Sequence, residues 1–254
     1  MWNRRRFMFT LPVLVGADVV ADPARAQNGP IHMGYFDKYP PFSNKDASGH
    51  MSGLLVDSVE LVGKGAGLSF DHQGFPWARA QRMVEQGELD GLCTLETATR
   101  SAYAEFCATP LVTVRYGVYH RSNDTRIQSL TSIADMRALR QGSYRGSGYV
   151  QEYLEVDRIL FDNDQESILR RIDMGNLDLF VEGEMVTGIK VKELGLSERI
   201  QFTPLAFLPR GDYRFALRRS YPDAHKIVER MELATQAARK SGALQALMAR
   251  YRQG

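Results

Sequence analysis

One short device occurs twice in this chain, and its repetition limits the folds open to it. Met83-Val84-Glu85-Gln86-Gly87-Glu88-Leu89-Asp90 passes from helix-like spacing into Gly-x-Leu-Asp, and Arg171-Ile172-Asp173-Met174-Gly175-Asn176-Leu177-Asp178 does the same. Ala80 and Val84 in the first copy correspond to Ile168 and Ile172 in the second. Each copy therefore reads as an amphipathic helix, a glycine stop and then a strand. The copies lie too far apart for a solenoid repeat and suit two similar α/β lobes with a cleft between them.

The first residues carry a different signal. Met1-Trp2-Asn3-Arg4-Arg5-Arg6 is basic, residues 7–15 are mostly apolar, and Ala24-Arg25-Ala26 places small residues where a signal peptidase reads. Residues 1–26 thus predict a cleaved export leader, and Asn3-Arg4-Arg5-Arg6-Phe7-Met8 also resembles a twin-arginine signal. Asp18 and Asp22 argue against a mitochondrial presequence. No later stretch approaches the roughly 20 apolar residues of a membrane span, so a soluble periplasmic protein is expected. The whole chain has 32 basic and 30 acidic residues. Removing the arginine-rich leader leaves the two signs balanced, which excludes the broad basic field that holds nucleic acid. Cys93 and Cys107 are the only cysteines. In an oxidising compartment they are open to pairing, and equally open to remaining buried thiols.

Along the rest of the chain, residues 31–36 read as a strand and Tyr39-Pro40-Pro41-Phe42-Ser43 as a stiff loop, because proline fixes φ and withholds a donor. Residues 46–53 read as a turn and 54–62 as a helix closed by Gly63-Lys64-Gly65-Ala66-Gly67. That cluster follows a helix rather than opening one, so it is a helix end and not a phosphate loop. The spacing predicts a helix over 76–86 and a strand over 89–94, then one long strand over 111–119 crossing into the second lobe. A helix over 130–139, another from Gly146-Ser147-Gly148 to Leu154, and a strand over 158–161 precede the second copy. Residues 213–217 return the chain, and helices over 224–238 and 243–251 end it, with Pro222 at an early helical position. The expected fold class is α/β with two lobes, each a sheet flanked by helices, joined by a two-strand hinge. Lobe 1 takes 27–116 and 221–254, and lobe 2 takes 117–220 including the hinge crossings.

Tyr39-Pro40-Pro41-Phe42, Gly53 with Asp57, Gly87-Glu88-Leu89-Asp90, Thr97-Ala98-Thr99-Arg100 and residues 106–110 follow one another in an order and spacing that resembles the family 3 extracellular solute-binding proteins. That group includes periplasmic polar amino acid receptors of ABC importers. Pro76-Trp77-Ala78-Arg79 is similar to a subgroup whose first-lobe helix carries Trp-x-Arg. The resemblance implies the type II periplasmic binding protein fold, closing about its hinge on a ligand. It places Arg100 on the ligand carboxylate, with Thr97 in the same motif, because a guanidinium offers a planar pair of donors. It makes Tyr39 an aromatic stacked on the ligand and turns Trp77 and Arg79 to the cleft. In the second lobe it matches Gly146 and Ser147 to a glycine and hydroxyl loop at a helix start, where N–H groups favour an anion, with Arg145 adding charge beside it. A surface role for either arginine, core packing for Trp77 and a plain N-cap for Ser147 stand beside these roles.

One position departs from the pattern. Amino acid receptors of the family place an Asp five residues after the second-lobe Leu-Asp, where it binds the ligand ammonium. This chain has Gly183 there, flanked by Glu182 and Glu184. Either Glu182 or Glu184 is open as the substitute, with Glu182 taken as the site residue, and a carboxylate without an amino group is an open alternative as the ligand.

The resemblance implies a binding protein with no chemistry of its own, a monomer that passes a small polar carboxylate, an amino acid or relative, to the membrane permease of an ABC transporter. An enzyme resembling cyclohexadienyl or arogenate dehydratase uses a similar scaffold, with Glu182, Glu184 or Glu96 as the available acid or base. A ligand-sensing partner of a membrane receptor is a third class. No catalytic residue, metal site or cofactor is expected: the five histidines are scattered without ligand spacing, and there is no Gly-x-Ser-x-Gly elbow.

Overall fold

The helix, glycine and strand devices each close one side of a sheet. In the computed structural model, which describes residues 29–253, β1 (Ile31–Phe36) leads into a small three-stranded sheet of β2 (Lys38–Tyr39), β3 (Ser43–Lys45) and β4 (Met51–Ser52). The predicted leader, 1–26, lies outside the described residues. Next come α1 (Leu54–Ala66), β5 (Phe70–Phe75), α2 (Trp77–Glu85), β6 (Gly91–Leu95), α3 (Ala98–Tyr103), β7 (Ala104–Phe106) and β8 (Val112–Val114). The second lobe holds β9 (Tyr116–Arg121), β10 (Gln141–Tyr144), α4 (Gly148–Tyr153), β11 (Ile159–Asp162), α5 (Gln165–Asp173), β12 (Leu179–Gly183), α6 (Glu184–Glu193) and β13 (Ile200–Pro204). The chain then returns through β14 (Gly211–Arg218) to α7 (Ala224–Lys240) and α8 (Ala243–Gln253).

The two sheets share a plan. The first has the order β5-β1-β6-β14-β7 with β8 also beside β14, and the second β11-β10-β12-β9-β13. In each, a central strand pairs in parallel with two neighbours, and the third strand pairs antiparallel with one adjoining a crossing. Gly87 and Gly175 both have positive φ, 80° and 76°, a conformation that glycine adopts without steric cost. After each, a fully buried leucine, Leu89 or Leu177, enters the core. The aspartates that follow do the same work: Asp90 accepts the His32 N–H at 3.0 Å and Asp178 the Arg140 N–H at 2.7 Å, each fixing the start of the parallel neighbour. Gly34 and Gly142 face those leucines so closely that a Cβ would approach Leu89 to 2.9 Å and Leu177 to 2.5 Å.

Several local expectations shift. The first long helix runs through Gly63, where the Phe70 ring occupies the space of a Cβ, and stops at Gly67 with φ 65°. The expected strand over 111–119 divides at Arg115, because Val112–Val114 pairs with β14 while Tyr116–Arg121 pairs with β12 and β13. Residues 130–139 form no α-helix: one 3-10 turn, Thr125–Ser129, precedes them and another, Ala134–Ala138, contains Asp135, whose carboxylate takes the N–H groups of Thr131 and Ser132. Pro222 precedes α7 rather than entering it. β14, assigned from the sequence to the crossings of the second lobe, is hydrogen-bonded within the first sheet throughout.

Cys93 and Cys107 are free and buried. Cys93 is opposite Phe215 from the β6 side, and the Cys107 N–H bonds the Phe215 carbonyl from the other. A whole strand separates them, roughly 9–10 Å at ordinary strand spacing and beyond the reach of a disulfide. Burial pushes the Cys107 thiol up to about 12.

Asp178, 2% exposed, also accepts from Arg140 Nε and from Arg126 Nη2 at 3.0 and 2.8 Å. The arginines keep it well below the usual carboxylate range. Its stabilising effect is therefore complete at neutral pH and lost as pH falls through that lowered value. Asp178→Ala is expected to cost about 2 kcal/mol in urea unfolding at pH 7, less than for a fully buried pair because both arginines stay half in water; an unchanged midpoint would contradict this.

Candidate ligand-binding site

Residues that meet between the lobes come from the carboxyl ends of the parallel strands, where open α/β sheets form their crevices. Phe36 ends β1 and Tyr144 ends β10, Thr97 and Arg100 follow β6, and Glu182 lies at the end of β12. Thr97 caps α3, its hydroxyl accepting the Arg100 N–H at 3.3 Å. That cap turns the Arg100 side chain inward, where it is 2% exposed.

Arg100 donates from Nε to Gln81 Oε1 at 2.9 Å, from Nη1 to the Leu95 carbonyl at 2.8 Å and from Nη2 to the Gly146 carbonyl of the second lobe at 3.3 Å. Its guanidinium carbon lies 5.2 Å from the centre of the Trp77 ring. Among the described residues no carboxylate pairs with it, and burial pulls its pKa down. Trp77 Nε1 donates to the same Gly146 carbonyl at 3.0 Å. The second-lobe loop thus presents a carbonyl to the first lobe, where the resemblance expected N–H groups facing an anion. Ser147 is the N-cap of the six-residue α4, accepting the Val150 N–H at 3.4 Å. Gly148 packs so tightly on the guanidinium that a Cβ would stand 2.3 Å from Nη1.

Across the seam lies the opposite charge. Glu182, 1% exposed, accepts the Gly183 N–H at 2.7 Å and the Tyr39 hydroxyl, from the first lobe, at 3.2 Å. The hydroxyls of Tyr144 and Tyr116 lie against it as well. Tyr213 bonds Tyr39 and Tyr116 at 3.1 and 3.3 Å, and Tyr149 stacks on Tyr116 with centroids 3.9 Å apart. No cation neutralises Glu182 among the described residues. Burial raises its pKa, and burial with the nearby carboxylate keeps Tyr39, Tyr116 and Tyr144 protonated as donors. Tyr116, Tyr144 and Tyr213 of this tyrosine layer are within the electrostatic influence of both Arg100 and Glu182.

Outside this layer a cavity of about 680 Å³ opens between the lobes, with Phe36, Trp77, Tyr144, Arg145 and Gln165 in its wall. Of the residues expected at the site, the structure brings Tyr39, Trp77, Thr97, Arg100, Arg145, Gly146, Ser147 and Glu182 to the seam. Arg79 lies apart, exposed, with its guanidinium 5.2 Å from the Phe75 ring centre. Glu184 pairs with Arg115 at the crossing and does not enter the tyrosine layer. Neither a metal-ligating cluster nor a helix long and apolar enough to cross a membrane occurs among the described residues.

A sequence profile of bacterial extracellular solute-binding proteins, family 3, matches residues 31–254. The chain belongs to that family. The probable amino-acid-binding protein YxeM of Bacillus subtilis (strain 168) is 22% identical over 228 residues, covering 87% of this chain and 83% of its own. Among solved structures, a histidine kinase sensor domain with similarity to periplasmic binding proteins superposes with a TM-score of 0.73 at 20% identity, covering 90% of this chain and 97% of its own. An ancestral arginine-binding protein bound to arginine gives 0.71 at 17% identity, with 88% and 98% covered. At these identities the structural likenesses establish the fold.

Reading this family 3 chain from its sequence misses Phe36, Gln81, Tyr116, Tyr144, Gln165 and Tyr213. A signal for two of them was present: Gly34-Tyr35-Phe36 and Gly142-Ser143-Tyr144 are equivalent in the repeat, each an aromatic two residues after the glycine that faces the buried leucine.

The raised pKa of Glu182 sets a pH dependence. Its proton is held more tightly in the folded protein than in the unfolded chain, so its contribution is most favourable below the ordinary carboxylate range and is lost as pH rises through the raised value. Glu182→Gln is expected to be at least as stable as the natural protein at pH 8, with a smaller loss between pH 5 and 8 in urea midpoints. A steeper loss in the variant would contradict the assignment.

Proposed function

We propose that this family 3 solute-binding protein captures a small zwitterion, an amino acid or close relative, between its lobes and delivers it to the permease of an ABC importer in the periplasm. The observation that carries the reading is the pair of buried, oppositely charged side chains, Arg100 in the first lobe and Glu182 in the second, each covered only by neutral groups. One cover on each comes from the other lobe: the Gly146 carbonyl on Arg100 and the Tyr39 hydroxyl on Glu182. Opening removes both covers together. A ligand carboxylate then takes the place of the Gly146 carbonyl and a ligand ammonium that of the Tyr39 hydroxyl.

Magnitudes favour the exchange. Each bond exchanged already has one charged partner and contributes about 1.5–3 kcal/mol, so the gain comes from a full ligand charge replacing a dipole at the other end. Opposite unit charges about 4 Å apart interact by about 4 kcal/mol at the effective dielectric of a partly wet site. Because the ligand makes these bonds to both lobes, it favours the closed form by its differential affinity. Gly183, standing where amino acid receptors of the family carry an acid, is followed in this reading by a shift of the ammonium receptor to Glu182. The division at Arg115 on one side and residues 205–210 on the other supplies the two crossings about which the lobes move.

A melting-temperature screen against amino acids, 2-oxo acids and dicarboxylates tests the reading, since a ligand that binds only the native state raises stability. At least one α-amino acid is expected to raise the transition without being consumed, and Arg100→Gln is expected to weaken it about a hundredfold with circular dichroism unchanged. A screen with no α-amino acid hit, or turnover of the ligand, would overturn the proposal.

A further inference from the structure

The cavity outside the tyrosine layer has features that a short aliphatic side chain would leave unused. Its volume of about 680 Å³ falls in the range of small-molecule pockets and exceeds what an alanine or serine side chain requires. Three aromatic rings wall it. Phe36 and Tyr144, one from each lobe, stand with centroids 6.0 Å apart at 46°, and Trp77 lies beside them. Such a wall suits a planar body, which packs on ring faces and edges.

Polar groups around the cavity are unequal in what they already hold. Lys190 pairs with Glu193, Arg170 holds Glu166, and Asp164 caps α5 through the Ser167 N–H. Lys45 reaches the Gly74 carbonyl at 3.4 Å. Lys38, Arg145 and Asp37 line the cavity with no side-chain hydrogen bond or ion pair among the described residues, which leaves a cationic excess. Gln165 adds a donor. Its Oε1 accepts the Thr187 hydroxyl at 3.3 Å, while its Nε2 is buried and has no acceptor. A buried donor left unmatched is unfavourable until an acceptor reaches it.

We propose that this cavity is a distal subsite selecting a ligand with a second anionic group on a planar body, with Arg145 and Gln165 receiving that group and Phe36, Tyr144 and Trp77 packing on the body. The proposal rests on the zwitterion reading of the inner site and names the ligand class that site admits. Arg145 presents a guanidinium fork that matches a carboxylate, and Gln165 Nε2 supplies a further donor from the same lobe. A ligand with a distal cation meets Arg145 and Lys38 as like charges, while of the carboxylates in the wall Asp164 is engaged at the cap of α5 and Glu166 with Arg170, leaving Asp37 as the unengaged one.

Calorimetric titration of the purified protein with 4-carboxy-L-phenylalanine, L-phenylalanine and L-arginine tests this. The carboxylated ligand is expected to bind at least tenfold more tightly than L-phenylalanine, with L-arginine the weakest of the three. Arg145→Gln and Gln165→Leu are each expected to lower the affinity ratio of 4-carboxy-L-phenylalanine to L-phenylalanine about tenfold, and circular dichroism checks that both fold. If L-arginine binds as tightly as the carboxylated ligand, or the ratio survives in Arg145→Gln, the subsite is refuted while the zwitterion reading stands. If none of the three binds while another α-amino acid raises the melting transition, the subsite is refuted and the zwitterion reading stands; if no α-amino acid does, both fall.

Discussion

Each lobe of this protein buries one charge that its own fold does not neutralise. A guanidinium or carboxylate withdrawn from water is unfavourable unless paired, and Arg100 and Glu182 receive only neutral donors and acceptors. The closed arrangement compensates by lending each charge a dipole from the opposite lobe. Gly146 covers Arg100 and Tyr39 covers Glu182, so contact between the lobes and satisfaction of the buried charges are one event. In the proposed binding mode a ligand brings full charges in place of those dipoles.

The scaffold brings these groups together through repetition. A glycine with positive φ ends α2 and α5, a buried leucine follows, and an aspartate ties the start of the neighbouring parallel strand. This aligns the carboxyl ends of β1 and β6 in one lobe with those of β10 and β12 in the other. The aromatic residues Phe36 and Tyr144 then face one another as equivalents of a single position. Asp37 and Arg145, which follow them, differ in sign, so the two lobes present unlike charges to the same cavity.

Much of this was legible in the chain. The repeat predicted two α/β lobes because a glycine stop and a buried leucine are local requirements that sequence states directly. Thr97 and Arg100 were legible through a motif whose cap geometry points the arginine inward. What escaped depends on distant partners. The tyrosine layer draws Tyr39, Tyr116, Tyr144 and Tyr213 from four strands of two lobes, and no periodicity relates them. Gly63 read as a helix end because glycine disfavours helix interiors, yet the Phe70 ring requires a glycine within that helix. The strand over 111–119 kept its alternation across Arg115, although its halves belong to different sheets. Hydrophobic pattern reports burial, and it does not report which sheet does the burying.

In the proposed mode Glu182 receives a ligand ammonium while Arg100 receives the carboxylate. Titrating L-phenylalanine and its deaminated counterpart phenylpyruvate into the natural protein and into Glu182→Gln separates the two poles. The natural protein is expected to prefer the amino acid by at least tenfold, and this preference is expected to fall close to one in Glu182→Gln, with phenylpyruvate binding retained through Arg100. A preference that persists undiminished in Glu182→Gln would contradict that mode.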